Sequence, residues 1–321
     1  MPDFYIVGSP KTGTTSLYEM LREHPQIYMS DVKEPLFLAS DLAPHPKFAT
    51  ARREAPYPRT LESYLALFEA AGPEQRVGEA STFYLWSHTA ADRIADLQPR
   101  ARIIAILRDP ATFLQSLHQM FLGWGVEAEN DLLRAISLDQ ARSEGKSLPP
   151  RSHRPQLLQY ADHVRYVDQL SRYHARLQQD QVLVLIYDDF RNDNQATVRK
   201  VLRFLAVDDE PPIQVVNTNV TTRNQRSVRA RYALDSLMKS RSPLARSTRR
   251  AIRKLTTQRL RRGSVRAFRE HVVSAAARPP EQSVMLELRE RFKPEVLALS
   301  EYLDRDLLSL WGYDGVDRRG S

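Results

Sequence analysis

The stretch Phe4–Leu21, FYIVGSPKTGTTSLYEML, commits this chain to a short apolar strand that turns sharply into a helix. Gly8 and Gly13 bracket the turn, and Thr14, Thr15 and Ser16 open the helix. Glycines let a ligand approach the backbone closely, and the unpaired N–H groups at a helix start form an anion site. The glycine spacing is that of a nucleotide triphosphate loop, G-x-x-x-x-G-K-[ST]. The lysine, however, lies inside the turn at Lys11, and Thr14 follows the second glycine. An ordinary strand–helix turn accounts for one glycine, but not for two glycines with Lys11 and Thr-Thr-Ser. Phosphate binding is the reading that uses all of them.

Periodicity extends the pattern. Short apolar runs at Phe4–Val7, Val77–Ala80, Arg102–Leu107 and Gln181–Tyr187 read as strands. Helical periodicity falls at Thr14–Glu23, His88–Leu97, Pro110–Leu122, Leu157–Gln178, Ala196–Leu205, Ala230–Ser240, Ser247–Arg261 and Glu281–Ser300. Pro110 suits a first helical position, where its missing N–H is not needed. This alternation predicts an α/β fold of three layers, with a P-loop-like central parallel sheet covered by helices on both faces. Ligands then bind beyond the carboxyl ends of the strands. Ala39–Thr60 and Glu127–Arg154 read as long irregular stretches, of the kind used as lids or substrate loops. With no repeat and no linker, the expectation is a single domain over residues 1–321.

Composition narrows the rest. At 321 residues and 42% hydrophobic content the chain can bury a large core, and with no cysteine it has no disulfide or thiolate-held metal. No leader peptide or spanning apolar run is legible, so a soluble cytoplasmic protein is expected. The net charge of +8 is concentrated: between Arg223 and Arg269 sixteen Arg or Lys residues face one acid, Asp235. Such a block suits an anionic partner or a set of solvated helix faces. Within residues 223–270 it reads as a basic helical lid or substrate region, and as an amphipathic surface it could meet anionic lipid.

A kinase would need a carboxylate after a second strand to hold magnesium. IIAILRDP offers Asp109, and VLVLIYDDF offers Asp188 or Asp189. The first of these strands delivers Arg108 before the acid, and Ser116 follows about two turns into the next helix. Arg108 with Ser116 makes a second phosphate-binding pair. Two separate phosphate sites imply a nucleotide phosphorylated at both ends.

On these residues the chain resembles the sulfotransferases that use 3′-phosphoadenylyl sulfate (PAPS), in particular their carbohydrate and bacterial branch. PKTGTTS at Pro10–Ser16 is similar to their 5′-phosphosulfate loop, and ILRDPATFLQS to their 3′-phosphate motif. VKEPLFLAS, VGEASTFYLW, VLVLIYDDFRNDNQATVRKVLRFLAV and DRDLLSLWGY resemble further segments of that branch. The resemblance implies a donor held by Pro10, Lys11, Thr12, Gly13, Thr14, Thr15 and Ser16 at its 5′ end and by Arg108 and Ser116 at its 3′ end. It places Lys11 on the bridging and sulfuryl oxygens and Glu34 where carbohydrate-sulfating members have a general base. His118 is the alternative base, and Arg226 or Arg229 would add a cation to the 3′-phosphate from a closing loop. The implied reaction moves a sulfuryl group to a hydroxyl or amine of a small-molecule, lipid or carbohydrate acceptor, releases adenosine 3′,5′-bisphosphate (PAP) and needs no metal.

The chain also departs from that pattern. Ala80 stands where several carbohydrate sulfotransferases have a second lysine, and Leu36 where bacterial relatives often have histidine. Phe83–Trp86 and Phe121–Trp124 are candidates for either the core or an acceptor pocket. Two other readings stay open at this level: an ATP- or GTP-dependent kinase with an unusual loop, and a non-enzymatic binder of anionic polymers. Nucleic acid is not the expected partner.

Overall fold

Alternate side chains of the opening strand enter two different cores. The computed structural model of the chain describes residues 1–42, 58–149, 152, 154–210, 223–225, 274–276 and 281–315. Its elements are β1 (Phe4–Gly8), α1 (Thr14–Arg22), β2 (Ile27–Met29), α2 (Leu61–Leu65), β3 (Arg76–Ala80), α3 (Ala90–Leu97), β4 (Arg102–Leu107) and α4 (Pro110–Trp124). Then follow α5 (Leu132–Ser137), α6 (Asp139–Ser143), α7 (Tyr166–His174), β5 (Val182–Ile186), α8 (Tyr187–Asn192) and α9 (Asn194–Leu205). A small antiparallel pair, β6 (Arg223–Gln225) and β7 (Ser274–Ala276), precedes α10 (Gln282–Tyr302) and α11 (Leu307–Trp311).

The main sheet has the order β2-β3-β1-β4-β5, and every pairing in it is parallel. Phe4 and Ile6 pack on one face with Ile104, Ile106 and Leu185, under Leu17 and Leu21 of α1 and Val201 and Leu202 of α9. Tyr5 and Val7 pack on the other with Ile103, Ala105 and Leu107, under Leu114 of α4, Leu170 of α7 and Phe292 of α10. Burying each such side chain stabilises the fold by about 1.5–3 kcal/mol, so the two layers rather than helix propensity hold the stack. The three-layer α/β architecture expected from the sequence is the one observed.

Four expectations need correction or limits. β2 was not anticipated: three residues are too few for a periodic signal, and β2 exists through its register with β3. The continuous helix expected over Leu157–Gln178 is instead two 3-10 turns, Pro155–Leu158 and Ala161–Val164, followed by α7. Asp139 accepts the Ala161 N–H and the His163 ring engages the Leu157 carbonyl, so side chains take over backbone partners there. Glu127–Arg154, expected to be irregular, contains α5 and α6; Asp131 caps the former through the Arg134 N–H. The helices expected at Ala230–Ser240 and Ser247–Arg261 lie outside the described residues, as do Arg226, Arg229, residues 43–57 and nearly all of 223–270.

The loops that matter share one edge. Ser9 N–H donates to the Ile106 carbonyl at 2.8 Å, Ser81 N–H to Ile6 at 3.2 Å and Glu34 N–H to Ala80 at 2.9 Å. The segments after β1, β2 and β3 are thereby pinned together at the carboxyl ends of the strands, where open parallel sheets bind ligands. No helix among the described residues is long and apolar enough to cross a membrane.

Candidate active site

The β1–α1 turn is shaped by backbone conformation. Gly8 has φ 152°, and a Cβ there would sit 2.6 Å from the Thr82 carbonyl oxygen, so only glycine fits. Gly13, at φ 82°, packs so closely on Phe190 that a Cβ would meet its ring at 2.8 Å. Between them Lys11 has φ 65°, a left-handed conformation unusual for a side chain of its size. Thr12 closes the turn by donating its hydroxyl to the Ser9 carbonyl at 2.6 Å. Pro10 is buried beneath it. No side chain caps α1 at Gly13, and the first N–H groups of a helix lack intrahelical partners. Thr14 and Ser16 are buried on the first turn, and Thr15 is half-buried beside them.

Arg108 meets this turn from β4. Its Nη1 donates to the Lys11 carbonyl at 3.1 Å and to the Ser116 hydroxyl at 3.3 Å, while Nε donates to Thr112 Oγ1 at 3.1 Å. The guanidinium lies 4.9 Å from the centre of the Tyr187 ring. The structure therefore brings Lys11, Arg108 and Ser116 together, as the sequence motifs led one to expect. Burial lowers the Lys11 pKa, and the charge of Arg108 lowers it further. Among the described residues neither cation has a carboxylate within ion-pair distance. The two cations are thus held half out of water and repel each other.

Glu34 approaches from the segment after β2. It has φ 59°, and Leu36 two residues on has φ 55°, so the chain is kinked on both sides of Pro35. Thr82 holds the carboxylate: its N–H donates to Oε2 at 2.8 Å and its hydroxyl to Oε1 at 2.9 Å. Lys33 Nζ lies 3.3 Å from Oε1 and donates to Thr15 Oγ1 at 3.0 Å. The Lys33–Glu34 salt bridge thus leads to the phosphate turn. Six non-glycine residues in the described chain have positive φ, and Lys11, Glu34 and Leu36 are three of them, all on these two loops. Strain of this kind collects where a site must be held in one geometry.

Beneath Glu34 lies a buried carboxyl, Glu79. Tyr64 and Tyr84 donate to its Oε2 at 2.7 and 3.0 Å. Burial pushes its pKa up to about 7, opposed by hydrogen bonds from Ser81, Tyr64 and Tyr84, with a smaller upward push from Glu34. Sequence reasoning missed Glu79, Thr82, Lys33 and Tyr187. Of these, Glu79 and Thr82 stood inside the quoted VGEASTFYLW, but nothing local marked one as buried and the other as a carboxylate clamp.

His118 faces elsewhere. It is 1% exposed, its Nε2 engages the Glu129 carbonyl at 2.8 Å, and its ring meets Tyr160 edge-on. Burial lowers its pKa. Its contacts are with the segment after α4 and with Tyr160 rather than with the Lys11 or Glu34 loops. Phe83, Tyr84, Trp86 and Phe121 are core, whereas Trp124 is half exposed and packs on Phe83 and Phe121.

The carboxylates a kinase would need are engaged in holding the fold. Asp109 caps α4 through the Ala111 and Thr112 N–H groups and accepts the Tyr313 hydroxyl at 2.7 Å. Asp188 accepts the Trp311 indole N–H at 2.9 Å, and Asp189 is paired bidentately with Arg305 at 2.6 and 2.8 Å.

Comparison with known proteins gives the family. The family model described as "Sulfotransferase family" matches residues 2–211. The chain belongs to the sulfotransferase family. Human carbohydrate sulfotransferase 15 is 32% identical over 165 residues, covering 40% of this chain and 29% of that protein. Mouse bifunctional heparan sulfate N-deacetylase/N-sulfotransferase 4 is 32% identical over 121 residues, covering 37% of this chain and 13% of that protein. The match to these curated relatives thus spans less than a third of their length. The crystal structure of a sulfotransferase from Alicyclobacillus acidocaldarius superposes with a TM-score of 0.68 at 23% identity, covering 97% of this chain and 99% of that one, and shows the same fold.

Proposed function

We propose that the chain is a PAPS-dependent sulfotransferase that modifies a hydroxyl, or alternatively an amine, of a carbohydrate-type acceptor and releases PAP. The observation that carries this reading is the pairing of Lys11 and Arg108 without a carboxylate partner among the described residues, joined through the Lys11 carbonyl and extended to Ser116. The residues fit such a donor: glycines that admit it closely, a turn of N–H groups and hydroxyls for one phosphate, and an arginine–serine pair for the other. When bound, the donor supplies an activated sulfuryl group with a phosphate as leaving group. Pro10, Thr12, Gly13, Thr14, Thr15 and Ser16 shape and line the 5′ cradle, and Arg108 with Ser116 grips the 3′ end.

Lys11 places its ammonium where negative charge develops on the departing phosphate. Having been partly desolvated in advance, it loses little hydration at that moment. Glu34, fixed by the two Thr82 donors, takes the proton from the acceptor oxygen or nitrogen. His118, with Nε2 held on a backbone carbonyl, has no part in this scheme. The names of the relatives, a carbohydrate sulfotransferase and a heparan sulfate N-sulfotransferase, favour sugars as the acceptor class.

The test is an acceptor screen with radiolabelled PAPS over oligosaccharides, phenols and lipids, run beside a thermal-shift assay. PAP is expected to raise the melting temperature without magnesium, and ATP with magnesium to do little. Label transfer that needs both Lys11 and Arg108 supports the reading. Stabilisation by ATP–magnesium alone would turn it toward a kinase.

A further inference from the structure

The Lys33 ammonium spans the two halves of the site. Its Nζ donates to Thr15 Oγ1 on the first turn of α1 at 3.0 Å and lies 3.3 Å from Glu34 Oε1, with the side chain 23% exposed. Its neighbours fix it there. The Tyr18 ring lies 6.0 Å from Nζ, and Tyr18 itself donates its hydroxyl to the Ser30 carbonyl at 2.5 Å. Glu79 lies below Glu34 and feels its charge, while the cations Lys11 and Arg108 stand on the phosphate turn and at the end of β4. Lys33 is thus the one ammonium among the described residues seen bonding to both the donor turn and the Glu34 carboxylate.

We infer that Lys33 is a positioning residue that couples proton removal by Glu34 to charge development on the donor. The inference rests on the reading of Glu34 as base. Before reaction the ammonium balances the Glu34 carboxylate and keeps it apart from the donor's anionic end. Because Lys33 donates to Thr15 Oγ1, the Thr15 hydroxyl keeps its own proton for an acceptor on the other side, toward the turn. As Glu34 takes the proton it becomes neutral, and the positive charge beside it loses its partner. At the same stage negative charge grows on the leaving phosphate, on the Thr15 side. Lys33 therefore stands between a charge that disappears and a charge that appears, and its interaction strengthens as the reaction proceeds. An interaction of that kind accelerates chemistry rather than binding.

The experiment compares wild type, Lys33→Met, Lys33→Arg and Glu34→Gln. It measures turnover of radiolabelled PAPS against pH, with desulfated heparin as acceptor and with water alone, and PAP affinity by calorimetry. Loss of a neighbouring cation disfavours a charged carboxylate, so the acidic limb of kcat/KM in Lys33→Met should lie at higher pH than in wild type. Turnover at neutral pH should fall by about ten- to a hundredfold, with PAP affinity changed less than about threefold. Lys33→Arg should return the limb toward its original position. An unmoved limb in Lys33→Met, or a loss of PAP affinity equal to the loss of turnover, overturns the coupling role while Glu34 stays the base. A limb that persists in Glu34→Gln overturns the base reading and the inference together, and assigns the titration to Glu79.

Discussion

The two ends of α4 treat charge in opposite ways. At its start Arg108 and Lys11 are half-buried, close together and without a carboxylate partner among the described residues. Beyond its end Arg142 and Glu127 are 1% and 0% exposed and paired at 2.8 Å. Glu127 also accepts the Tyr160 hydroxyl and the N–H groups of Ala128 and Glu129, so nearly all of its lone pairs are used. The second cluster pairs its charges within the fold, and they hold α6 and the Tyr160 segment against the helix. The first has no such partner among the described residues, which is what the proposed donor would supply. On the proposed function the contrast separates charges that serve the fold from charges that serve a ligand, although both groups are withdrawn from water.

The largest expected effect is at the paired cluster. Arg142→Ala leaves Glu127 buried without its cation and should lower unfolding stability by about 3–5 kcal/mol in denaturant titrations. PAP affinity per folded molecule should be unaltered, and an affinity loss would break the contrast. At the start of α4, Lys11→Ala should lower sulfuryl transfer by about a hundredfold to a thousandfold. Its melting temperature should stay level or rise, because a desolvated charge facing Arg108 has been removed. A clear drop in stability would place Lys11 with the structural charges.

Glu79 sharpens the comparison from beneath the site. Its folded carboxyl is raised to about 7 from an ordinary 4.5, so the folded protein keeps this proton when the unfolded chain has lost it. The stability this contributes is complete below pH 4.5, is lost as pH rises toward about 7, and is level above that. Glu79→Gln should flatten the pH dependence of stability over that window by about 3 kcal/mol, read from melting curves across the range. The smallest effect is expected for Tyr313→Phe, which removes one hydrogen bond to Asp109 and should cost about 1.5 kcal/mol with transfer nearly unchanged.

The parts of the site that were legible in the sequence are those whose geometry is local. Gly8, Lys11, Gly13 and the three hydroxyl residues lie within nine positions, and one strand–turn–helix transition determines where they go. Arg108 and Ser116 are likewise one strand end and two helical turns apart, and their 3.3 Å contact follows from helix geometry. The reading failed where partners come from afar. Lys33 reaches Thr15 across 18 positions, Thr82 reaches Glu34 across 48, and Glu127 meets Arg142 across 15. Nothing local marks Glu79 as buried, because a strand's alternation does not reveal that both of its faces are covered. The helix expected over Leu157–Gln178 failed for the same reason: its apolar residues are buried on several sides by neighbours that periodicity does not show.

The account stands on a donor with an anion at each end, gripped separately by the Lys11 turn and by Arg108 with Ser116. Calorimetric titration of PAP and of adenosine 5′-monophosphate without magnesium, into wild type and Arg108→Ala, tests this directly. PAP should bind at least about tenfold more tightly than the monophosphate to wild type, as a charge-assisted arginine contact requires, and Arg108→Ala should erase that difference. Equal affinity of the two nucleotides for the wild-type protein would contradict the account.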